Sequence, residues 1–209
     1  MKRFFSFILI VFFINISNNI YSQKDIITIQ DDFDFETATD DEIAEFILHG
    51  GYYAKGKLKI GLDVPEFFGQ YIDETIFSNY KTKRIVFYNC WFEHCAACVS
   101  EIPVLNEIYE KYKDKVDFIA LTFMSIEDIR SAIKKHPFYF KHVSMDRTIF
   151  EKTVIKSDWG YPTSAIVVDN KIIYYKVGGI GSEKYQKITV PYFKNELDSI
   201  LSNAIKDLK

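Results

Sequence analysis

The chain has 209 residues, 48% of them hydrophobic and 17% aromatic, and a formal net charge of −3. That composition supplies one sizeable core, and the length is too short for two full domains. The small acidic excess, with no block of Lys or Arg, excludes nucleic acid as a partner attracted by charge.

Residues 1–22 begin with Lys2 and Arg3, continue through an apolar run from Phe4 to Ile16 and end in a polar stretch closing at Ser22. This is the layout of a secretory signal peptide. The apolar run is shorter than the roughly 18 residues expected of a membrane-spanning helix. Cleavage after Ser22 is therefore expected, giving a periplasmic or otherwise exported protein that meets a membrane only if the segment is retained. No cysteine precedes Cys90, so none lies near the cut to carry a lipid.

Residues 23–63 form an N-terminal extension. Its acidic stretch Asp31–Glu45 contains a capping box, Thr39 with Glu42, followed by Ile43, Ala44, Phe46, Ile47 and Leu48 and stopped by Gly50-Gly51. The pattern predicts a short helix near 40–48. The acids read as a solvated face and a favourable helix start, and they lack the loop pattern of a calcium hand.

From Arg84 the run I-V-F-Y-N-C-W has strand character. A helix follows from about Ala96, with Val99, Ile102, Leu105, Ile108, Tyr109 and Tyr112 on one face. Next come a strand at 116–123, a helix at 126–135, a short strand at 142–145 and less regular chain to Gly160. Strands at 164–168 and 171–177 turn through Asp169-Asn170, and a last helix spans 190–208. The order predicts an α/β fold, a central mixed sheet flanked by helices, led by a parallel βαβ unit and completed by an antiparallel pair.

Three cysteines, Cys90, Cys95 and Cys98, are an odd count and too local for a scaffold of stapled loops. The pair in H-C-A-A-C is a metal clip, a structural staple or a redox couple. A tetrahedral zinc site needs four ligands, and here one pair stands alone, with His49, His136 and His142 distant and without motif spacing. A dithiol couple explains more. Cys95 follows a strand and opens a helix, where free N–H groups and the helix dipole favour an anion. In such places a thiol pKa falls to about 3.5–7.5. Cys98, one turn further in, is close enough to resolve a mixed disulfide. Cys90 inside the strand reads as a buried free thiol.

The stretch N-C-W-F-E-H-C-A-A-C-V-S-E-I-P resembles the active-site segment of thioredoxin-like TlpA/ResA-type disulfide reductases, N-F-W-x-x-W-C-x-x-C-x-x-E-x-P, at Asn89, Trp91, Cys95, Cys98, Glu101 and Pro103. W-G-Y-P-T-S-A-I-V-V-D resembles that family's cis-proline loop, with Tyr161 before Pro162. The resemblance covers about Val64 to Leu208 and implies a thioredoxin-like domain over residues 64–209. It implies catalytic roles for Cys95 as nucleophile, Cys98 as resolving thiol and Glu101 as proton handler. Tyr161 and Pro162 are implied at the substrate side; Trp91 and His94 are further candidates there, with Trp91 equally a packing residue and His94 equally a surface histidine. The implied cofactor is none beyond the Cys95-Cys98 disulfide, and the implied partners are protein disulfides and an exported or membrane electron donor.

The segment departs from the pattern at His94 for a tryptophan, Phe92 for a small residue and Cys90 for a phenylalanine. A protonated His94 stabilises a Cys95 thiolate, and Glu93 opposes it if close. Two other functions compete. A thiol peroxidase resembles P-x-x-x-T-x-x-C, but Tyr88 and Phe92 occupy its Pro and Thr places. A copper-handling or adaptor module would use Cys95, Cys98 and His94 as soft ligands without turnover.

Overall fold

The computed structural model describes residues 34, 36–49, 59–156, 160–179 and 183–208. The expected signal peptide at residues 1–22 and much of the expected extension at residues 23–63 lie outside these residues.

The first helix, α1 (Asp40–His49), starts at the capping box: Thr39 N–H donates to Glu42 Oε2 at 2.8 Å and Glu42 N–H to Thr39 Oγ1 at 3.3 Å. Its Ile43 and Ala44 are buried, and Asp41 accepts a hydrogen bond from the Tyr192 hydroxyl of the last helix. The first helix therefore packs against the last one at this point.

A seven-stranded sheet follows, built from β1 (Phe68–Tyr71), β2 (Ile76–Ser78), β3 (Ile85–Cys90), β4 (Asp117–Thr122), β5 (Lys141–Ser144), β6 (Thr163–Val168) and β7 (Lys171–Val177), in the order β2-β1-β5-β4-β3-β6-β7. The β3–β4 and β4–β5 pairs are parallel, and the β1–β2, β1–β5, β3–β6 and β6–β7 pairs are antiparallel. The parallel crossovers carry α2 (Ala96–Tyr112) and α3 (Ile126–Lys135); α4 (Arg147–Lys152) and α5 (Glu183–Asp207) complete the helices described.

Sequence chemistry explains most of these bounds. Ser125 caps α3 by accepting from Asp128 N–H at 3.1 Å, and the acids of its first turn and Lys134 and Lys135 in its last suit the helix dipole. The β6–β7 hairpin turns through Asp169 and Asn170, both at positive φ (44° and 68°), a conformation that these two residue types tolerate best after glycine.

Two elements differ from the sequence reading. The chain after β5 is not irregular throughout, because Asp146 accepts from Thr148 and Ile149 N–H and starts α4. The last helix begins at Glu183 rather than Val190. Pro191 lies inside it, where it forfeits one backbone bond without ending the helix, and Thr189 and Phe193 bury the face that holds this turn down.

Strand alternation divides the core in two. Ile85 and Phe87 of β3, Phe118 and Ala120 of β4 and Ile166 of β6 face α2 and α5, packing with Ile102, Leu105, Ile108, Phe193, Leu197 and Leu201. Val86, Tyr88, Cys90, Ile119, Leu121, Ala165 and Val167 face the opposite side, under Phe67, Phe77 and Phe150. Cys90 is a wholly buried free thiol whose pKa burial pushes well above the ordinary thiol value.

Phe87 is the centre of the first core, with Phe118 and Phe140 rings at 5.7 and 5.6 Å. Phe87→Ala is expected to lose about 3–5 kcal/mol of stability by urea denaturation; a loss below about 1 kcal/mol would remove this aromatic layer from the account of the core.

Candidate active site

The site stands at the carboxyl end of β3. Trp91 N–H extends the ladder by donating to Leu121 O at 3.1 Å, and the chain then turns so that Cys95 N–H donates to Phe92 O at 3.2 Å. Cys95 is the N-cap of α2, and its Sγ accepts from Cys98 N–H at 3.1 Å. The cysteine sulfur thus takes the place that a Ser or Asp oxygen fills at an ordinary helix start. Cys95 is partly exposed and Cys98 is 3% exposed, and the two are joined by a disulfide with Cα atoms 5.2 Å apart.

The second wall comes from the opposite strand. Cys90 of β3 pairs with Thr163 of β6, so the residues just beyond, Trp91 and Pro162, emerge side by side at this end of the sheet. The Tyr161–Pro162 bond is cis. Pro162 O accepts from Gly178 N–H at 2.7 Å, tying this loop to the end of β7. The Tyr161 ring meets Phe92 edge-on at 5.1 Å and stacks on Phe150 at 6.2 Å, and burial pushes its phenol pKa up. Tyr161 and Pro162 therefore flank the turn that carries the cysteines. Trp159 of the same motif lies outside the described residues.

His94 is exposed on the turn. Its neighbour Glu93 is held in an ion pair with Lys135 at 2.7 Å, and this hydrogen bond lowers its carboxyl pKa. Glu93 N–H also donates to Met124 Sδ at 3.4 Å, fixing the turn against the loop after β4.

Trp91 is not at the surface. It is fully buried between Phe138 and His142, with ring centroids at 5.5 and 5.4 Å. It supports the turn from beneath and offers no face to a substrate, because just past the end of β3 it continues the strand's alternation and points into the core shared with α2. Asn89, two residues earlier on the same face, is also buried and donates to Ser164 Oγ at 3.1 Å.

Glu101 lies one helical turn beyond Cys98. It is 5% exposed and pairs at 2.6 Å with Lys176 of β7, itself 4% exposed. Burial raises the Glu101 pKa, and the Lys176 charge and hydrogen bond oppose that rise. Its second oxygen, Oε2, is buried with no protein partner. An added Cβ at Gly179 would sit 2.7 Å from Glu101 Oε1 and 3.0 Å from Pro162 Cγ, so the carboxylate and the proline loop press on the same glycine. The ion pair is therefore inside the domain rather than on its surface.

Lys176 is the residue that sequence reasoning missed. The available signal was strand alternation, since Tyr174 and Lys176 share the face toward α5 while Tyr175 and Val177 take the other. A bulge beside Ile173 resets that alternation and hides it from the pattern. Among the described residues, no group of three or more His, Cys, Asp or Glu side chains is placed to hold a metal ion.

The profile of the Redoxin family matches residues 59–189, well over half of the chain. The chain belongs to the Redoxin family. Its Redoxin domain is similar to the thiol-disulfide oxidoreductase ResA of one Bacillus cereus strain, 40% identical over 83 residues that make up 36% of this chain and 46% of that protein. The ResA of a second strain is 34% identical over 114 residues, 49% of this chain and 61% of that protein. These matches span about half the length of the relatives. Among solved structures, the thioredoxin domain of a Bacteroides vulgatus thiol-disulfide oxidoreductase superposes with a TM-score of 0.52 at 20% identity, covering 66% of this chain and 97% of that one. A thiol:disulfide interchange protein from Bacteroides sp. gives 0.51 at 24%, covering 62% and 87%. The Redoxin domain therefore has the thioredoxin-like fold.

His142, which backs Trp91, carries a pH signature. Burial pushes its pKa from 6.5 down to about 4, against a partly compensating hydrogen bond with Phe138 O. The unfolded chain therefore binds this proton first, and stability present above pH 6.5 is lost as pH falls toward 4, by about 3 kcal/mol in all. Urea midpoints measured between about pH 7 and pH 5 should fall less steeply in His142→Gln than in the parent; identical slopes would place the acid sensitivity elsewhere.

Proposed function

We propose that the chain is an exported thiol-disulfide oxidoreductase that reduces disulfides of other exported proteins. The observation that carries this reading is the pairing of a partly exposed cysteine sulfur at a helix start with a buried cysteine within disulfide reach. The similarity to proteins named thiol-disulfide oxidoreductase supports it.

In the reduced enzyme, the Cys95 thiolate attacks one sulfur of a substrate disulfide. One Cys95–substrate S–S bond forms, the substrate bond breaks and its first sulfur leaves as a thiolate that takes up a proton. Cys98 gives its proton to Glu101 and attacks Cys95 Sγ. The Cys95–Cys98 bond forms, the second substrate sulfur leaves and is protonated, and two electrons have passed from the pair to the substrate. A partner dithiol returns the pair to the reduced state.

The helix start favours the Cys95 thiolate electrostatically, whereas Cys98 is buried and needs a base. Glu101 is the carboxyl on the neighbouring turn of the same helix. Tyr161, Pro162 and His94 form the rim that a bound polypeptide meets, and a protonated His94 adds to thiolate stabilisation. The leader at residues 1–22 directs export and is removed, residues 23–63 are the extension, and residues 64–209 are the catalytic domain. The cysteine pair is the redox group, with no further cofactor in this scheme.

Incubation with a disulfide substrate followed by acid quenching distinguishes the two sulfurs. Cys98→Ala is expected to accumulate a stable mixed disulfide at Cys95, and Cys95→Ala to accumulate none. Trapping in Cys95→Ala instead would reverse the roles, and trapping in neither would remove the activity.

A further inference from the structure

Electron transfer between sulfurs requires no lysine, yet one is buried against Glu101. Lys176 Nζ donates to Glu101 Oε1 at 2.6 Å and to Gly178 O at 2.7 Å, and it lies 4.2 Å from the centre of the Phe193 ring. Glu101 comes from α2, Lys176 and Gly178 from β7 and its exit, and Phe193 from α5. Gly178 N–H in turn holds Pro162 O. The lysine thus joins the cysteine helix to the loop that flanks the disulfide.

Among the described residues, the other groups around Glu101 carry no cation. Its own helix offers Cys98 and Ser100, α5 offers the uncharged Gln186, Thr189 and Phe193, and the proline loop and β7 exit offer Pro162 and Gly179. Among the described residues Lys176 is the cation facing it, and its charge opposes the rise that burial causes in the Glu101 pKa. A carboxyl buried without a cation stays protonated to high pH, and in that form it cannot accept a proton from a thiol. A base is most useful when its pKa lies near the working pH.

We propose that Lys176 is a positioning residue that keeps Glu101 in its proton-accepting form and so sets the pH at which Cys98 becomes able to resolve the mixed disulfide. This rests on the reading of Glu101 as the proton acceptor. In the resolving step the Cys98 proton moves to the Glu101 carboxylate, the Cys98–Cys95 bond forms as the Cys95–substrate bond breaks, and the substrate sulfur leaves with the electron pair.

The test uses the reduced full chain and the aromatic disulfide DTNB as substrate. The first thionitrobenzoate released reports attack by Cys95, and the second reports resolution by Cys98. The second rate is followed over about pH 5–9, the range in which thiols and a raised carboxyl titrate. Lys176→Met is expected to move the midpoint of that profile up by about one pH unit or more, slowing resolution near neutrality about tenfold. Lys176→Arg should restore it. Glu101→Gln should abolish the pH-dependent limb, and adding Lys176→Met to it should change nothing further.

If Glu101→Gln flattens the profile while Lys176→Met leaves it superimposed on the parent, the lysine proposal fails and the Glu101 reading stands. If Glu101→Gln leaves the profile intact, both fall. Should Lys176→Met fail to fold, the unsubstituted chain still decides: NMR titration must find Lys176 Nζ as an ammonium throughout the interval in which Glu101 Cδ titrates, and a neutral amine there overturns the proposal.

Discussion

The carboxyl end of β3 and the amino end of α2 meet at Cys95, and the position of that junction governs everything else in the site. Because the sulfur itself caps the helix, accepting from Cys98 N–H, the residue that begins the helix is also the residue proposed to react. The ladder bond from Trp91 to Leu121, the sulfur contact from Glu93 to Met124 and the ion pair from Glu93 to Lys135 fix the approach to it. Moving the helix start by one residue would place both cysteines at different depths. The contrast between a partly exposed Cys95 and a buried Cys98 would be lost with it.

Depth creates the second constraint. Cys98 faces the core beneath the sheet, and the next turn of α2 brings Glu101 into the same dry region. A buried carboxyl is tolerated there through Lys176, and removing one member of such a pair costs about 3–5 kcal/mol because the other charge is stranded. The arrangement links three segments distant in sequence: the cysteine helix, the proline loop and the end of β7. Gly179 belongs to this arrangement because any side chain there would meet Glu101 and Pro162 together. The Glu101 carboxyl and the proline loop thus share one set of contacts.

Much of this was legible in the sequence, and the parts that were not have physical reasons. The capping box at Thr39, the helix at 126–135, the Asp169-Asn170 hairpin and the cysteine helix all announce themselves through short-range chemistry that depends on few neighbours. Cys95 and Cys98 stand out by their spacing at a strand-to-helix junction, while Glu101 and Pro162 come only from the family resemblance. Of the two readings open for Trp91, packing is the one its burial supports: a motif gives residue identity without direction, whereas alternation with Phe87 and Asn89 points it inward. Lys176 was invisible because a lone lysine in a strand reads as solvent-facing, and its burial is decided by α2 and α5 together with a bulge in β7. The start of α5 was misread because Pro191 resembles a first-turn proline, while the buried contacts of Thr189 and Phe193 carry the helix through it.

The alternative of greatest consequence is that the Cys95–Cys98 bond is a staple holding the turn in place. A staple stabilises the folded chain and is not exchanged, whereas a redox couple must open and close while the fold persists. Equilibration of the folded protein with mixtures of reduced and oxidised dithiothreitol, followed by acid quenching and thiol alkylation, separates the two. A redox couple gives a single transition in which Cys95 and Cys98 become alkylated together while Cys90 stays protected, with the slope of a two-electron couple, about 30 mV per tenfold change. A disulfide that survives excess dithiothreitol until the chain unfolds would contradict it.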